Sequence, residues 1–233
     1  MNLHKPHTLA SAVDAVIEKR RTFKVMGDLN TPVTVPDDFV ARVEQSINVA
    51  GAAPYHYSAN AIHLDSAMDS PVPWRFYALK QSDCLNLAEH LIASGDVKSE
   101  QAGIIRMLSA AGSLVLTTWL PEPDHLPPET IEHRNMEHIA AASAAIQNLL
   151  LSATARNIQT YWSSGGALGR QTCFELCGIP SREKLLGAIF MFPQAAVRSL
   201  QAKPGSMRDK RGEPNQWRTW RTLTPVKPIR YTA

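Results

Sequence analysis

Cysteine is scarce in this 233-residue sequence, which contains only Cys84, Cys173 and Cys177. An odd set of three does not provide the disulfide framework of a small secreted protein, and it favours a reducing, cytoplasmic location. A long hydrophobic run is also missing, because polar residues interrupt the most apolar stretch, residues 139–155, which is too short to span a bilayer. No apolar segment follows the charged residues 1–7, so we expect neither a signal peptide nor a membrane partner.

The composition is that of a globular domain, with an uneven distribution of charge. Hydrophobic residues make up 44% of the chain and charged residues 19%, which argues against disorder. From Gln194 onward, nine Lys or Arg residues stand against two acidic ones, whereas acidic residues are in excess before that point. A basic tail on a mildly acidic body indicates a phosphate-bearing partner or an acidic docking surface.

The spacing of apolar residues and the capping residues predict one α+β domain in which helices outweigh strands. Helices are predicted at residues 8–21, 36–51, 82–91, 99–111, 131–156 and 171–177, and strands at residues 74–79, 113–120, 158–162 and 185–192. The helix over 131–156 is apolar nearly all round beyond its first two turns, which is typical of a central buried helix. Residues 55–73 predict a long loop that is functional or partly mobile. The final 40 residues contain four prolines and predict an extended arm.

Three cations and a hydroxyl group follow the first predicted helix within five residues, Arg20-Arg21-Thr22-Phe23-Lys24. Guanidinium groups bind phosphate through two parallel hydrogen bonds, Lys adds a point charge, and Thr donates a further hydrogen bond. The pattern indicates a phosphate site, with a solvated basic helix end as the alternative.

The segment Ser163-Ser164-Gly165-Gly166 follows a predicted strand and lacks bulky side chains. Glycine lets a planar ligand approach the backbone closely and leaves N–H groups free to donate. The segment is not a Walker loop, since no Lys-Ser/Thr pair follows, and it lacks the third glycine and the βαβ context of a Rossmann fingerprint. A plain strand-to-helix turn is the alternative.

His133, Glu137 and His138 are potential metal ligands, but their spacing does not favour a metal site. Positions 133 and 137 share a helix face, whereas His138 points about 100° away from Glu137 and no third ligand is evident. Cys173 and Cys177 are one helical turn apart, a spacing that more often means packing than redox chemistry. We therefore predict no metal.

The most basic patch, Arg208, Lys210 and Arg211, has Trp217 and Trp220 nearby. Positive charge beside aromatic rings is typical of proteins that bind single-stranded nucleic acid. A solvated tail whose Trp side chains pack on a neighbouring subunit explains the same composition, so we treat nucleic acid as a distant alternative.

Five elements, taken in order, resemble the FMN-dependent nitroreductase superfamily from about residue 12 to residue 195. They are Arg20-Arg21-Thr22-Phe23-Lys24, Ala52-Ala53-Pro54 with Pro73-Trp74-Arg75-Phe76-Tyr77, residues 145–153, residues 158–165, and Cys177-Gly178-Ile179-Pro180. The resemblance implies a three-layer α+β fold in which helices flank a mostly antiparallel central sheet. It also implies that residues 1–195 bind FMN and that residues 196–233 form a basic arm that wraps the dimer partner. Departures from the commoner family residues, at Thr22, Lys24, Ser70 and Met191, bear on the substrate pocket more than on FMN binding.

The same resemblance implies the residues of the site. The FMN phosphate and ribityl chain would be held by Arg20, Arg21, Thr22 and Lys24, and the phosphate also by one or more of Arg208, Lys210 and Arg211. The residues beside the flavin ring would be Pro73, Trp74, Ser163, Ser164 and Gly165. Of these, Ser164 and Gly165 would direct backbone N–H groups toward flavin N5 and O4.

The implied activity is transfer of a hydride from NAD(P)H, through N5 of an FMN at the interface of a homodimer, to a nitroaromatic, quinone or similar acceptor. The two substrates would use the same place in turn, which gives ping-pong kinetics. Three alternatives stay open at this point. They are a specialised flavin enzyme (a dehalogenase or a flavin-consuming synthase), a non-catalytic FMN-binding protein, and a nucleic-acid-binding module that uses the basic tail.

Overall fold

The computed structural model describes residues 8–64 and 68–222. Residues 1–7 and 223–233, and with them the end of the predicted basic arm, lie outside the described residues. The helices are α1 (Leu9–Lys19), α2 (Phe39–Ala50), α3 (Gln81–Ala93), α4 (Gly103–Ala110), α5 (Pro128–Ala155), α6 (Gln171–Leu176) and α7 (Gln194–Ser199). The strands are β1 (Phe23–Met26), β2 (Trp74–Lys80), β3 (Ser113–Trp119), β4 (Gln159–Ser163), β5 (Lys184–Phe192) and β6 (Gln201–Pro204). Short 3-10 turns occur at Ala61–His63, Gly166–Gly169, Met207–Lys210 and Pro214–Gln216.

Four strands form an antiparallel sheet in the order β2-β3-β5-β4, and β1 pairs with β6 in a separate ribbon. A parallel bridge between Thr22 and Thr160 joins the start of β1 to β4. The strands β2 and β4 therefore lie at opposite edges of the main sheet, and the β1–β6 ribbon continues from the β4 edge.

Side chains of the central strands alternate between the two faces of the main sheet, as the two-residue period of a strand requires. Leu116 and Phe190 are fully buried in a core that α3, α4 and α6 complete on one face. Val115 and Ile189 are fully buried in a second core, which α2 and α5 complete on the other face. The predicted three-layer α+β fold is thus confirmed. Each predicted helix and strand overlaps an observed one, although α4 begins at Gly103 rather than at residue 99.

Local signals explain where the first and the longest helix begin. The Thr8 hydroxyl oxygen accepts a hydrogen bond from the Ser11 amide at 3.2 Å, which satisfies one free donor at the start of α1. The helix α5 starts with Pro128, whose fixed φ suits the first helical position. The buried positions of α5 begin at His138, but Gln147 is exposed. The prediction of a buried central helix is therefore confirmed only for its sheet-facing side.

The segment after β5 corrects the prediction of an extended arm. Residues 194–199 form α7, and β6 then returns to pair antiparallel with β1, Met26 opposite Gln201 and Phe23 opposite Pro204. Because β1 has no other full-length partner among the described strands, the returning segment supplies its hydrogen bonds. For residues 194–204 the prediction was wrong, and wrapping of a partner chain by later residues stays a prediction.

The loop over residues 55–73 is held by a buried cation. Arg75, at the start of β2, is 4% exposed and donates hydrogen bonds to carbonyl oxygens of the loop. Those acceptors include His63, Met68, Ser70 and Val72, at 2.8–3.4 Å. The predicted loop is present, and its described part is pinned to the sheet rather than loosely attached.

Helix length and hydropathy also bear on membranes. Among the residues that the structure describes, no helix combines the length and the apolar character needed to cross a bilayer.

Candidate functional site

The predicted phosphate ligands from the two ends of the chain meet at the end of α1. Arg20 is the C-cap residue of this helix. Arg208, in the 3-10 turn Met207–Lys210, donates from Nη1 to the carbonyl oxygens of Glu18, at 2.6 Å, and Arg20, at 2.9 Å. The last carbonyls of α1 are thus capped by a guanidinium group from a segment almost 190 residues later in the chain.

The cluster of Arg20, Arg21 and Arg208 at the end of α1 carries an excess of positive charge. Burial lowers the pKa of Arg20 below its ordinary value, and the nearby positive charge of Arg208 lowers it further. Arg21 is paired with Asp209 at 2.6 Å, but both side chains are substantially exposed, so the pair is worth little. One carboxylate against three guanidinium groups leaves the cluster cationic, which favours a bound anion.

A polar cavity of ≈ 470 Å³ lies beside this cluster. Arg208, Arg211 and Trp217 are among its lining residues, whereas Lys210 is exposed nearby. Of the three predicted C-terminal cations, Arg208 and Arg211 therefore line a concave surface and Arg208 makes the direct contact with α1.

Thr22 and Lys24 point to different neighbours. The Thr22 carbonyl oxygen accepts a hydrogen bond from Gly205 at 2.8 Å, and its bridge to Thr160 places it beside β4. Lys24 extends to the start of α4, where its Nζ lies 3.6 Å from the position that a Cβ on Gly103 would occupy. A cation beside the positive end of a helix dipole is unfavourable alone and favours a negative group between them.

The predicted flavin-contacting turn begins where β4 ends. Gly165 is buried and has φ 100°, a conformation that side-chain-bearing residues rarely adopt. A Cβ at this position would also overlap Cδ2 of Leu185. The Gly165 amide donates to the Ser163 hydroxyl oxygen at 3.2 Å, while Ser164 is exposed. Glycine is thus required here by conformation and by space, and its N–H already has a local, exchangeable acceptor.

One aromatic residue beside the turn was not predicted to belong to the site. The Trp162 indole lies across Gly187 of β5 so closely that a Cβ on this glycine would overlap Nε1. Trp162 nevertheless remains 37% exposed, which leaves part of its ring open next to Ser163. A single glycine inside an otherwise apolar strand is the sequence signal that could have revealed this close approach.

Pro73 and Trp74 do not join the other predicted site residues within one chain. Trp74 is 3% exposed and packs with Ala53, Ala141 and Ala145 under α5. It starts β2, the edge opposite β4, so three strand spacings of about 4.8 Å separate it from the Ser163 edge, about 14 Å in all. Within one chain, Trp74 and the turn at Gly165 therefore lie at opposite edges of the main sheet.

A buried carboxylate near the 55–73 loop was also missed by sequence reasoning. Glu183 is 3% exposed and accepts hydrogen bonds from the hydroxyl groups of Tyr77, at 2.9 Å, and Thr118. His63 lies in the same region with Nε2 2.8 Å from the Pro121 carbonyl oxygen. Residues so far apart in sequence carry no local pattern that would associate them.

The pKa of His63 reflects this environment. Burial lowers it below the ordinary value, and the positive charges of Arg182 and Arg75 act in the same direction. The Pro121 hydrogen bond and the negative charge of Glu183 oppose this lowering without reversing it. The folded protein therefore favours the neutral imidazole.

The residues considered as metal ligands have separate surroundings. His133 contacts the Tyr57 hydroxyl at 3.4 Å, His138 is buried with Nδ1 2.7 Å from the Leu120 carbonyl oxygen, and Glu137 lines an open cleft beside Pro54. Within residues 8–64 and 68–222, no three His, Cys, Asp or Glu side chains are arranged to hold a metal ion. Trp217 and Trp220 are 60% and 91% exposed, and their predicted partner is not tested by this structure.

Comparison with solved structures identifies the fold. An FMN-dependent nitroreductase from Mycobacterium smegmatis, solved in complex with NADPH, is 16% identical over 92% of this chain and 100% of that chain, with a TM-score of 0.57. A nitroreductase from Lactococcus lactis, in complex with nicotinic acid, is 12% identical over 77% and 88%, with a TM-score of 0.53. A nitroreductase-like family protein from Bacillus cereus is 17% identical over 83% and 88%, with a TM-score of 0.51.

Sequence comparison identifies the family. No curated protein matches the chain. The model of the Nitroreductase family matches residues 43–191, which include most of α2, all of α5 and the main sheet except for the last residue of β5. Since that match covers more than half of the sequence and the similar structures share its fold, this chain belongs to the nitroreductase family.

Proposed function

We propose that the protein is an FMN-dependent oxidoreductase that takes a hydride from NAD(P)H and reduces a nitroaromatic, quinone or similar acceptor in a ping-pong reaction. The observation that carries the proposal is the bridge between Thr22 and Thr160. It sets the cationic cluster at the end of α1 next to the strand that leads into the Ser163–Gly165 turn. From Thr160 to Ser163 is about 10 Å along β4, a length suited to a phosphate joined to a ring by a short flexible chain.

The cationic cluster fits a phosphate. Arg20 and Arg208 are close enough that the charge of one lowers the pKa of the other, and a phosphate would offset this repulsion. Arg211 adds donors along the adjoining cavity, and Arg21 is linked to the lining of that cavity through its pair with Asp209. We assign the Thr22 hydroxyl as a further donor, since Thr22 follows Arg20 and Arg21 directly in the chain. In this proposal Lys210 contributes only long-range charge, because it does not line the cavity.

The turn after β4 fits the edge of a flavin ring. When bound, FMN would accept hydride at N5 and return it to an acceptor, so the protein itself must supply position and electrostatics. Gly165 allows close approach, and its N–H becomes available once the Ser163 hydroxyl turns away. We assign Lys24, at the start of α4, to the negative charge that develops on the reduced ring.

A homodimer is the assembly that best accounts for the exposed surface. The helix α1 has no buried residue in the single chain, and its Leu9, Val13 and Ile17 are 83%, 48% and 47% exposed. An apolar groove of ≈ 440 Å³ runs between α1 and the surface of α5, lined in part by Leu151. A second copy packed here would bury these residues and could bring its Trp74 surface toward the Gly165 turn. The three free cysteines support a cytoplasmic location.

An absorbance spectrum of the purified dimeric protein, before and after anaerobic NADH or NADPH, tests the proposal. Bound flavin that bleaches and recovers on addition of a quinone would support it. Flavin that binds but does not bleach would replace it with a non-catalytic or specialised function. A colourless protein that cannot be reconstituted with FMN would overturn it.

Site variants separate the phosphate assignment from general folding effects. Arg20→Gln should weaken FMN binding by about 10–100-fold, which corresponds to loss of a charge-assisted hydrogen bond of about 1.5–3 kcal/mol. Arg218→Gln, which removes an exposed charge outside the cluster, is the matched control. Equal FMN affinity in the two variants would contradict the assignment of Arg20.

The pinned 55–73 loop favours one second candidate, a specialised flavin enzyme. The buried Arg75 and His63 hold the described part of this loop in one conformation, which suits a pocket shaped for one substrate better than one open to many acceptors. Slow turnover with all simple nitro and quinone acceptors, in a protein whose flavin still bleaches with NAD(P)H, would favour this candidate.

A further inference from the structure

The three cysteines of the chain occur in one region of the fold. Cys173 and Cys177 lie at the end of α6, with their Sγ atoms 4.0 Å apart. Cys84 of α3 is fully buried in the same hydrophobic core as Cys173. This sulfur pair plays no part in the proposed flavin chemistry, so its geometry can be considered separately.

The backbone disfavours a disulfide between Cys173 and Cys177. The Cys177 amide donates to the Cys173 carbonyl oxygen at 3.0 Å, so the helical turn between them is intact. Side chains one turn apart have Cβ atoms about 5–6 Å apart, whereas a disulfide needs about 3.8 Å. Its S–S bond of about 2.05 Å would also require the sulfur atoms to approach by half their present separation. Oxidation to a disulfide would therefore have to break this turn.

The same geometry suits two bonds to one ion. With metal–sulfur bonds of about 2.3 Å, sulfur atoms 4.0 Å apart subtend an angle of about 120° at the metal. Two sulfur atoms about 4.6 Å apart would make the S–metal–S angle linear. A movement of the sulfur atoms by about half an ångström therefore covers the range from bent to linear coordination. Neither arrangement requires the helical turn to open.

The number of ligands selects the kind of ion. Among the described residues no third His, Cys, Asp or Glu completes a metal site. A structural zinc ion needs four protein ligands, whereas soft ions with a filled d shell, such as Cu(I), accept thiolates and low coordination numbers. We propose that Cys173 and Cys177 form a two-thiolate binding site for a soft monovalent metal ion of the Cu(I) class.

Access and protonation are consistent with such a site. Cys177 is half-buried and lines a cavity of ≈ 240 Å³, while Cys173 lines an adjoining one of ≈ 120 Å³. A hydrogen bond from Cys173 lowers the pKa of the Cys177 thiol, and the same interaction raises the pKa of Cys173. As the two metal–sulfur bonds form, each thiol that is still protonated releases its proton.

Cys84 serves as an internal control. It lines neither of these two cavities, and burial raises the pKa of its thiol to about 12. Its replacement should leave metal binding unchanged, whereas replacement of either member of the pair should weaken it strongly.

The experiment is an anaerobic competition between the reduced full-length protein and a chromogenic Cu(I) chelator. The wild-type protein and Cys84→Ala should withdraw one equivalent of Cu(I) per chain. Cys177→Ser and Cys173→Ala should bind at least about 100-fold more weakly, since loss of even an outer-shell partner can cost that much. Thermal melting of each variant identifies a folding defect, and Cys177→Ser carries the test if Cys173→Ala does not fold, because Cys177 is half-buried.

Several results would overturn the proposal. These are failure of the wild-type protein to withdraw Cu(I), equal loss in Cys84→Ala, and retention of the equivalent in folded Cys177→Ser. A fourth is rapid loss of two thiols to a disulfide on treatment of the metal-free protein with hydroperoxide, because that would show that the helical turn opens easily. The site does not rest on the proposed function, and FMN content is measured in parallel.

Discussion

Replacement of Arg75 with Met tests whether one buried guanidinium group organises the 55–73 loop. Arg75 is 4% exposed. Five of its hydrogen bonds go to carbonyl oxygens, at 2.8–3.4 Å, those of His63, Met68, Ser70, Val72 and Trp74. Met has a similar length but no donor, so the substitution removes the hydrogen bonds with little change in packing volume.

The expected loss follows from the two opposing contributions. Each hydrogen bond from a charged group contributes about 1.5–3 kcal/mol, but burial of the cation itself costs several kcal/mol. Part of the loop can recover hydrogen bonds to water once it detaches, which limits the net loss. We expect the free energy of unfolding to fall by about 3–5 kcal/mol, as for other broken buried charge interactions. For a chain of this size the melting temperature should fall by about 10 °C.

Urea denaturation and limited proteolysis measure the two parts of this expectation. Arg75→Met should unfold at lower urea and be cut first within residues 55–73. Arg75→Lys, which keeps the charge but has fewer donors, should be intermediate. Arg218→Met is the control for removal of an exposed charge. If Arg75→Met matches this control in stability and in its cleavage sites, the loop is held by other contacts and the reasoning fails.

Three further predictions concern Gly165, Gly187 and the buried His63. A positive φ alone should cost an alanine about 1–3 kcal/mol of strain. Gly165→Ala should lower the free energy of unfolding by more than this, because its Cβ would also meet the Leu185 side chain, whereas Gly166→Ala has open space around its Cβ and should show only the strain. Equal urea midpoints for the two variants would contradict this expectation. Gly187→Ala should displace the Trp162 indole and change tryptophan fluorescence, and an unchanged spectrum would show that the ring does not lie across the glycine. Because the folded state lowers the pKa of His63, the unfolded chain binds more protons, and stability should fall as pH drops from about 7.5 to about 5.5. His63→Asn should reduce this pH dependence of the urea midpoint, and an unaltered dependence would assign it to other groups.

Local signals predicted most of the secondary structure. The N-cap at Thr8 and the glycine at position 51 mark the ends of two helices, and the structure places those ends within a residue of the prediction. The β-rich runs at residues 113–120 and 185–192 predicted strands, and the structure has β3 and β5 there. Such signals work because a cap or an apolar period depends on neighbours within a few residues.

Contacts between distant segments could not be predicted in this way. Nothing in the local sequence associates Arg208 with the carbonyl oxygens at the end of α1, or Asp209 with Arg21. The resemblance to the family grouped the cations but gave no partners. Asp209, which stands between Arg208 and Lys210 in the sequence, pairs with Arg21 rather than with a cation of the basic patch.

The same limit applies to Trp74, which the resemblance placed beside the flavin. The structure buries its ring under α5, at the edge of the sheet opposite the Gly165 turn. A motif shared with a family specifies that a residue has a role, but not which copy of the chain uses it. A site that forms between two copies of the chain would be consistent both with the burial of the Trp74 ring and with its implied position near the flavin.

The exposed face of α1 leads to the same conclusion from hydrophobicity alone. Val13, Val16 and Ile17 recur at helical spacing, a pattern that favours an apolar stripe for burial, yet about half of the surface of Val13 and Ile17 is open in the single chain. Covering such residues is worth about 25 cal/mol per Å² of apolar surface removed from water. An apolar period specifies that a face is to be buried, and a sequence has no means of indicating whether its own core or a second chain buries it. Within the described part of the chain no residue of α1 is buried, and the second copy proposed above would cover this stripe.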